Sequence, residues 1–291
     1  MINTTRIDQH AADLRLLGLI VSQRGETLCS KTWDSPCRRI VFSVSKSFTS
    51  CAVGFALQEG RLRLEERLVD LFPDVLPSQP DENLCKATIR DALTMCLGQE
   101  KGLLMGGQRV DIEADDWARE ALKTPFIYEP GTHFVYSNVG PYLAGLAVQK
   151  RVGCNLVDYL MPRLFEPLGI KRPTWEVDPL NRTFGASGLM LALPEIHKLG
   201  LLYQQNGCWR EQQLLSPEWI RESSRKQVEN DEDGYGYLFW RGKYNSFRAD
   251  GMYGQYSIVI PDKEAVITTT AENRNQKEML EFLLDEIVPQ L

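Results

Sequence analysis

Histidine is nearly absent from this sequence: among 291 residues only His10, His133 and His197 occur. Any Ser-His-Asp triad must use one of the three, and zinc, which needs clustered Cys and His ligands, has few to draw on. The seven cysteines, at positions 29, 37, 51, 85, 96, 154 and 208, are odd in number, scattered and never spaced Cys-x-x-Cys. That distribution fits reduced thiols better than a disulfide framework. No stretch approaches the roughly 20 apolar residues of a membrane helix; the densest, Leu14 to Val21, has the length of a strand. Met1 to Ala12 holds Arg6, Asp8 and His10 but no apolar run, whereas an export signal carries an apolar segment of about 7–15 residues. The expectation is a cytoplasmic protein without a membrane span. A Gly-x-Gly-x-x-Gly turn and a Walker loop are missing too, which leaves nucleotide cofactors without a cradle. The chemistry is expected to use protein side chains alone, with no cofactor and no metal.

What is present is 43% hydrophobic and 25% charged, the proportions of a globular protein. The length allows about two domains, or one with a large insertion. Lys and Arg number 33 against 39 Asp and Glu, a net charge of -6 that repels phosphate backbones and anionic lipid. Nucleic acid and membrane partners are thereby disfavoured, and a small neutral or cationic substrate fits.

The spacing predicts a short helix over 6–14, capped by Thr4 or Thr5, antiparallel strands over 16–23, 26–33 and 39–42, and a helix over 45–59 ended by Gly60. Between 62 and 181, ten prolines separate helix-like stretches at 86–95, 115–122 and 142–151. A helix over 194–205, strands over 235–240, 246–250, 255–260 and 265–270, and a helix over 276–288 complete the chain. Strands at both ends with helices between imply an α/β protein of the α+β type. One antiparallel sheet, from residues 1–61 and 182–291, is flanked by terminal helices, and a mostly helical domain, 62–181, is inserted beside it.

Two spacings carry chemistry. Ser43-Val44-Ser45-Lys46 puts a hydroxyl and an amine three residues apart at a strand-to-helix junction, on one helical face. A serine there feels the positive end of the helix and keeps its amide free for an oxyanion. A lysine becomes a base when burial or a nearby cation lowers its pKa. The same spacing recurs at Ser223 and Lys226, on what reads as an ordinary solvated helix, so the tetrad alone says little. The second spacing is Tyr136-Ser137-Asn138, the one Tyr-x-Asn among ten tyrosines. Taken without the first, it reads as a core aromatic followed by a cap for the next helix.

Together with Glu129-Pro130-Gly131, Val139-Gly140 and the segments 164–170, 186–190 and 250–255, these motifs run in the order found in serine hydrolases related to class C β-lactamases. The chain resembles that family over most of its length. The resemblance implies a β-lactamase/transpeptidase-like fold with a cleft between the two domains. In it Ser43 is acylated, and Lys46 and Tyr136 form the pair that takes its proton, either being the base. Asn138 would hold the substrate carbonyl or the lysine, and the oxyanion would lie between the amides of Ser43 and Met252. The third motif departs from the family. Where its β-lactamases and carboxypeptidases carry Lys-Thr-Gly or His-x-Gly, this chain has Ala249-Asp250-Gly251. Gly251 keeps backbone close to the ligand, but the cation for a substrate carboxylate is gone. Arg248 is expected to point away from the site, since strand neighbours alternate. Asp250 is expected to be a surface turn residue or, alternatively, a carboxylate favouring cationic substrates.

The resulting expectation is an esterase or amidase acting on a small ester, amide or peptide-like molecule. A β-lactamase or D-Ala-D-Ala carboxypeptidase of penicillin-binding-protein type is the first alternative, and a non-catalytic binding protein on the same fold is the second. His133, in the Tyr136 loop, is the rival general base or else a turn residue. Gly98, Gly102, Gly106 and Gly107 are expected to form a mobile rim.

Overall fold

The computed structural model describes residues 1–291. Six strands, Leu16–Gln23 (β1), Glu26–Thr32 (β2), Trp240–Gly242 (β3), Ser246–Gly251 (β4), Gln255–Ile260 (β5) and Ala265–Ala271 (β6), form one antiparallel sheet in the order β2-β1-β6-β5-β4-β3. Its two halves meet where β1 pairs β6, Leu19 opposite Thr269 and Val21 opposite Ile267, so both ends of the chain build it. Helices Thr5–His10 (α1), Val44–Gln58 (α2), Val139–Val152 (α3), Leu193–Gln204 (α4) and Gln276–Ile287 (α5) surround the sheet or extend its core.

Alternation along the strands decides which face each residue serves. Tyr256, Ile258 and Ile260 of β5 pack with Ile7 of α1 and with Met279, Leu283 and Ile287 of α5. Val259, one residue out of phase, enters the larger core on the opposite face. That core of 61 residues runs without a break from the inserted helices through α2 to Val259 and Val266 of the sheet. Every residue of α2 except Leu57 and Gln58 is buried, so the helix has no wet side on which a polar stripe could form. Its hydroxyls tie down neighbouring carbonyls instead: Ser47 donates to Leu238 O (2.9 Å), Thr49 to Gly185 O (2.6 Å) and Ser50 to Tyr237 O (2.8 Å).

Five sequence expectations need correction, each for a local reason. The first helix ends at His10, and the Thr4 hydroxyl donates to Asp8 rather than capping it. The helix expected over 86–95 is two, Glu82–Lys86 and Ile89–Leu93, because Thr88 and Asp91 form a reciprocal cap that starts the second. Residues 39–42 leave the main sheet; Arg39–Ile40 pairs with Met190–Leu191 instead. Of the strand expected over 235–240 only Trp240 joins the sheet, as the first residue of β3, because the backbone turns at Gly234 (φ 104°) and Leu238 (φ 65°) and offers its carbonyls to α2. Ser223 does not sit on a solvated helix face: it is buried, its hydroxyl donating to Trp219 O at 2.6 Å, and Lys226 lies past the helix end, paired with Glu229. No helix is long and apolar enough to cross a membrane.

Candidate active site

The chain turns from Val41 into α2 through Phe42, whose φ of 47° lies in the left-handed region that bulky residues rarely adopt. Its ring meets Tyr253 edge-on, with centroids 5.3 Å apart. Ser43 occupies the N-cap of α2 but does not cap it, so its hydroxyl is free for the next turn. There Lys46, only 1% exposed, holds Nζ 2.9 Å from Ser43 Oγ, 2.6 Å from Asn138 Oδ1 and 2.8 Å from Ala186 O. The last two atoms can only accept hydrogens. A neutral amine gives both of its hydrogens to them and keeps its lone pair for the Ser43 hydroxyl. Burial, reinforced by the Arg109 guanidinium and opposed by Asp250, lowers the Lys46 pKa from 10.5 to about 7. The neutral form is therefore well populated at neutral pH.

Asn138 Nδ2 donates to Leu104 O at 2.8 Å, which fixes the amide with Oδ1 toward Lys46. Its side chain does not cap α3; the Val139 amide donates to Ser137 Oγ instead, at 3.2 Å. Asn138 thus holds the lysine, and the reading of it as a helix cap is corrected. Tyr136 packs against Trp240, with centroids 5.2 Å apart, and its ring centre lies 5.1 Å from Lys46 Nζ. Burial pushes its phenol above the usual range, against the downward pull of the Ser43 hydroxyl. Ser43, Lys46, Tyr136 and Asn138 are thus brought together.

Ser43 and Met252 line one cavity of about 690 Å³, and neither backbone amide has a protein acceptor. Gly251 permits this approach, since a Cβ there would lie 2.3 Å from Val41 O. Met252, in the turn after β4, is 49% exposed.

Two expectations for β4 are corrected. Arg248 and Asp250 are two residues apart and share a strand face, while Ala249 between them turns into the core. Both charged side chains line the Ser43 cavity. Asp250 is therefore not a surface turn residue, and Arg248 does not point away. Arg248 Nε donates to Asp250 Oδ2 (2.8 Å), and its terminal nitrogens donate to Glu232 Oε2 (3.1 Å) and Arg241 O (3.0 Å). Burial raises the Asp250 pKa and Arg248 partly offsets this. Asp231, Glu232, Asp233 and Glu281 also line the cavity, against Lys243 and Lys277, so its wall is acidic.

No histidine reaches Ser43. His133 is exposed and stacks on Tyr128 at 4.0 Å, with Nδ1 2.8 Å from Thr132 Oγ1. His197 is buried between the Ser22 and Thr268 hydroxyls, and burial lowers its pKa to about 4. His10 lies against α5. The expected rim is also revised: at Gly98 and Gly102 a Cβ would lie 2.2 Å from Tyr128 O and 2.5 Å from Tyr136 O, so these glycines serve close packing. Only Gly106 and Gly107 face open space. The carbonyls of Ala186 and Leu104 carry no side-chain signal in the sequence, and Glu232 in the cavity wall was not anticipated; of the six tryptophans that could wall a cleft or pack the core, Trp240 lines the cavity.

An antiparallel sheet built from both chain ends, with Ser-x-x-Lys at the start of a central buried helix and Tyr-x-Asn beside it, defines the β-lactamase/transpeptidase-like class of fold. The family model described as Beta-lactamase matches residues 7–283, and the chain belongs to that family. It is 31% identical over 140 residues to a D-aminopeptidase from Brucella anthropi, a match covering 46% of this chain but only 26% of that relative. Among solved structures it superposes on an octameric penicillin-binding protein homologue from Pyrococcus abyssi with a TM-score of 0.75 at 19% identity, covering 97% of this chain and 76% of that one. A hydrolase with promiscuous acyltransferase activity gives a TM-score of 0.74 at 15% identity, covering 92% of each chain.

Proposed function

We propose that the protein is a serine hydrolase cleaving ester or amide bonds of a small molecule through an acyl-Ser43 intermediate. The observation that carries this is the Lys46 amine, 2.9 Å from Ser43 Oγ with its hydrogens directed to two carbonyl oxygens. Lys46 is the base: it takes the Ser43 proton as Oγ attacks the carbonyl carbon, and the carbonyl electron pair becomes an oxyanion facing the Ser43 and Met252 amides. Tyr136, kept protonated by burial, gives its proton to the leaving oxygen or nitrogen and regains one from the Lys46 ammonium. Water then attacks the acyl carbonyl carbon, giving a proton to Lys46, and as the carbon–Oγ bond breaks the Lys46 ammonium returns that proton to Ser43 Oγ, releasing the acid.

The cavity charge favours a substrate carrying an ammonium group. Arg248 is committed to Asp250, Glu232 and a carbonyl, so it does not replace the missing strand cation, whereas Asp250 Oδ1 has no protein donor. An aminoacyl ester or amide suits this wall better than an acyl group bearing a carboxylate, and the D-aminopeptidase relative is consistent with that class. The helical segment 62–181 contributes Met105 and Tyr136 to the cavity and is read as the domain that shapes the acyl pocket. The cytoplasm is the assigned compartment, on the ground that all seven thiols are free and Cys37 and Cys154 are exposed.

A chromogenic acetate ester and its alanyl counterpart test the reading. Wild type is expected to hydrolyse both with an initial burst, the alanyl ester at lower KM, and Ser43→Ala to show neither burst nor an acyl adduct by mass spectrometry. Turnover at the parental rate in Ser43→Ala overturns the proposal. The intact Ser43, Lys46 and Tyr136 set also keeps the β-lactamase or carboxypeptidase reading in view; a stable penicilloyl adduct on Ser43 would favour it. Failure of an active-site serine probe to label the protein would favour a binding role.

A further inference from the structure

The carbonyl that fixes Asn138 is itself held from a second side. Leu104 O accepts from Asn138 Nδ2 at 2.8 Å and from Arg109 Nη1 at 2.9 Å, which uses both of its lone pairs. Leu104 has a φ of 57°, in the left-handed region that leucine rarely adopts and that persists only where the surroundings over-determine it. Arg109 ends the short helix Gly106–Arg109. Its side chain does not line the Ser43 cavity but packs on the buried Phe184, with Cζ 4.6 Å from the ring centre. Its Nη2 donates to both carboxylate oxygens of Glu176, at 3.1 and 3.2 Å. Side-chain exposures of 14% for Arg109 and 33% for Glu176 mean that salt screens this pair less than a surface one. Hydrogen bonds of 2.9, 2.8 and 2.6 Å therefore run from Arg109 through Leu104 O and the Asn138 amide to Lys46 Nζ.

Glu176 belongs to the segment that carries the other carbonyl acceptor of Lys46. Its amide donates to Gly188 O (3.2 Å) and its carbonyl accepts from the Phe184 amide (2.8 Å), which brackets the turn containing Ala186. A Cβ on Gly188 would lie 2.2 Å from Glu176 Cβ, so a side chain there would displace the carboxylate. The two carbonyl acceptors of the Lys46 amine, Asn138 Oδ1 and Ala186 O, thus belong to two segments that one guanidinium joins.

We propose that Arg109 is a positioning residue for Lys46: paired with Glu176, it clasps together the two segments that supply the carbonyl acceptors of the amine and fixes a cation at the far end of that hydrogen-bonded chain. Arg109 does not reach the reacting atoms. It keeps Asn138 Oδ1 and Ala186 O aimed at Nζ, and its charge opposes a second positive charge there. The charged and titratable groups around Lys46 are Tyr136, whose ring it faces, Asp250 from β4, which favours the ammonium, and Arg109, which disfavours it. Glu176 tempers Arg109, so the pair sets how much of the lysine is neutral. The effect on turnover rests on the hydrolase reading; the effect on the lysine does not.

The test is the acid limb of kcat/KM for a neutral acetate ester. Arg109→Gln is expected to move the limb upward by about 0.5–1 pH unit, an about three- to tenfold loss of rate below it. Arg109→Lys, which keeps the charge, is expected to return it to within about 0.3 unit of wild type. Glu176→Gln leaves Arg109 uncompensated and is expected to move the limb downward by about 0.5 unit. A merely structural disturbance admits water to Lys46 and moves the limb upward in every variant, towards the ordinary lysine value. The same shifts are read without turnover from the Cε carbon resonance of Lys46 in Ser43→Ala protein carrying each substitution. A titration that does not move upward in Arg109→Gln, or does not move downward in Glu176→Gln, overturns the proposal, as does Arg109→Lys titrating like Arg109→Gln. Absence of turnover in wild type would instead overturn the hydrolase reading and leave the lysine resonance to decide the clasp.

Discussion

In the proposed mechanism Lys46 decides the chemistry because of where its three neighbours are. Two carbonyl oxygens and the Ser43 hydroxyl surround the buried amine: the ammonium donates to all three, whereas the neutral amine gives its two hydrogens to the carbonyls and turns its lone pair to the hydroxyl. With the pKa near 7, kcat/KM for a neutral ester is expected to rise as pH increases through about 7 and then level off. Lys46→Met should lower it by about 10²–10⁴-fold and remove that limb, as measured by a pH–rate profile. The same shift has a stability consequence. Between pH 7 and 10.5 the unfolded lysine binds a proton that the folded one has lost, so wild type gains stability over Lys46→Met as pH rises, by up to about 1 kcal/mol per pH unit. Urea midpoints at pH 7 and pH 10 check the sign. At this scale the sequence was informative wherever helix geometry turns a spacing into a contact, as for Ser43 and Lys46. It was silent about Ala186 O and Leu104 O, since any residue type supplies a carbonyl. It misdirected at Asp250, because reading the strand from Ala249 hid the fact that positions 248 and 250 share the cavity face.

Among the elements, β4 matters as much as α2 in the proposed mechanism, because the oxyanion site requires the strand to approach the start of α2 closely. Gly251 makes the contact possible: the 2.3 Å that a Cβ would leave to Val41 O is far inside any tolerable approach. Gly251→Ala is expected to push the strand outward, with a loss of about 1–3 kcal/mol in stability and about tenfold or more in kcat. Chemical denaturation and burst kinetics on the same sample separate the two effects. Strands of alternating or β-branched residues were legible, β1, β5 and β6 most clearly, because burial on both faces leaves long apolar runs. The helix break at Thr88 and the turns at Gly234 and Leu238 were not legible. The first depends on one reciprocal cap, and the second on α2 hydroxyls 187–191 residues away along the chain.

For the molecule as a whole, the excess of acidic residues is not spread evenly. The wall of the Ser43 cavity carries five carboxylates against three cations, while a separate cavity lined by Arg15, Arg38, Arg39 and Arg274 is basic. The field that attracts or repels a substrate is set by such local sums rather than by net charge, and a cleft focuses it. Asp250→Asn raises the charge of the Ser43 cavity by one and leaves Arg248 with Glu232 as its remaining carboxylate partner. For a cationic alanyl ester KM is then expected to rise about tenfold, for an anionic succinyl ester to fall, and for a neutral acetyl ester to stay within about twofold. Asp250 also helps keep Lys46 protonated, so its removal should move the acid limb of the neutral-ester profile to lower pH, which a purely structural disturbance would not do. Added salt should weaken the wild-type preference for the cationic ester and barely affect the neutral one, since a Debye length near 8 Å at physiological strength screens the exposed rim more than the buried pair. Equal changes in KM for all three esters in Asp250→Asn would mean that the acidic wall shapes the cavity without selecting charge.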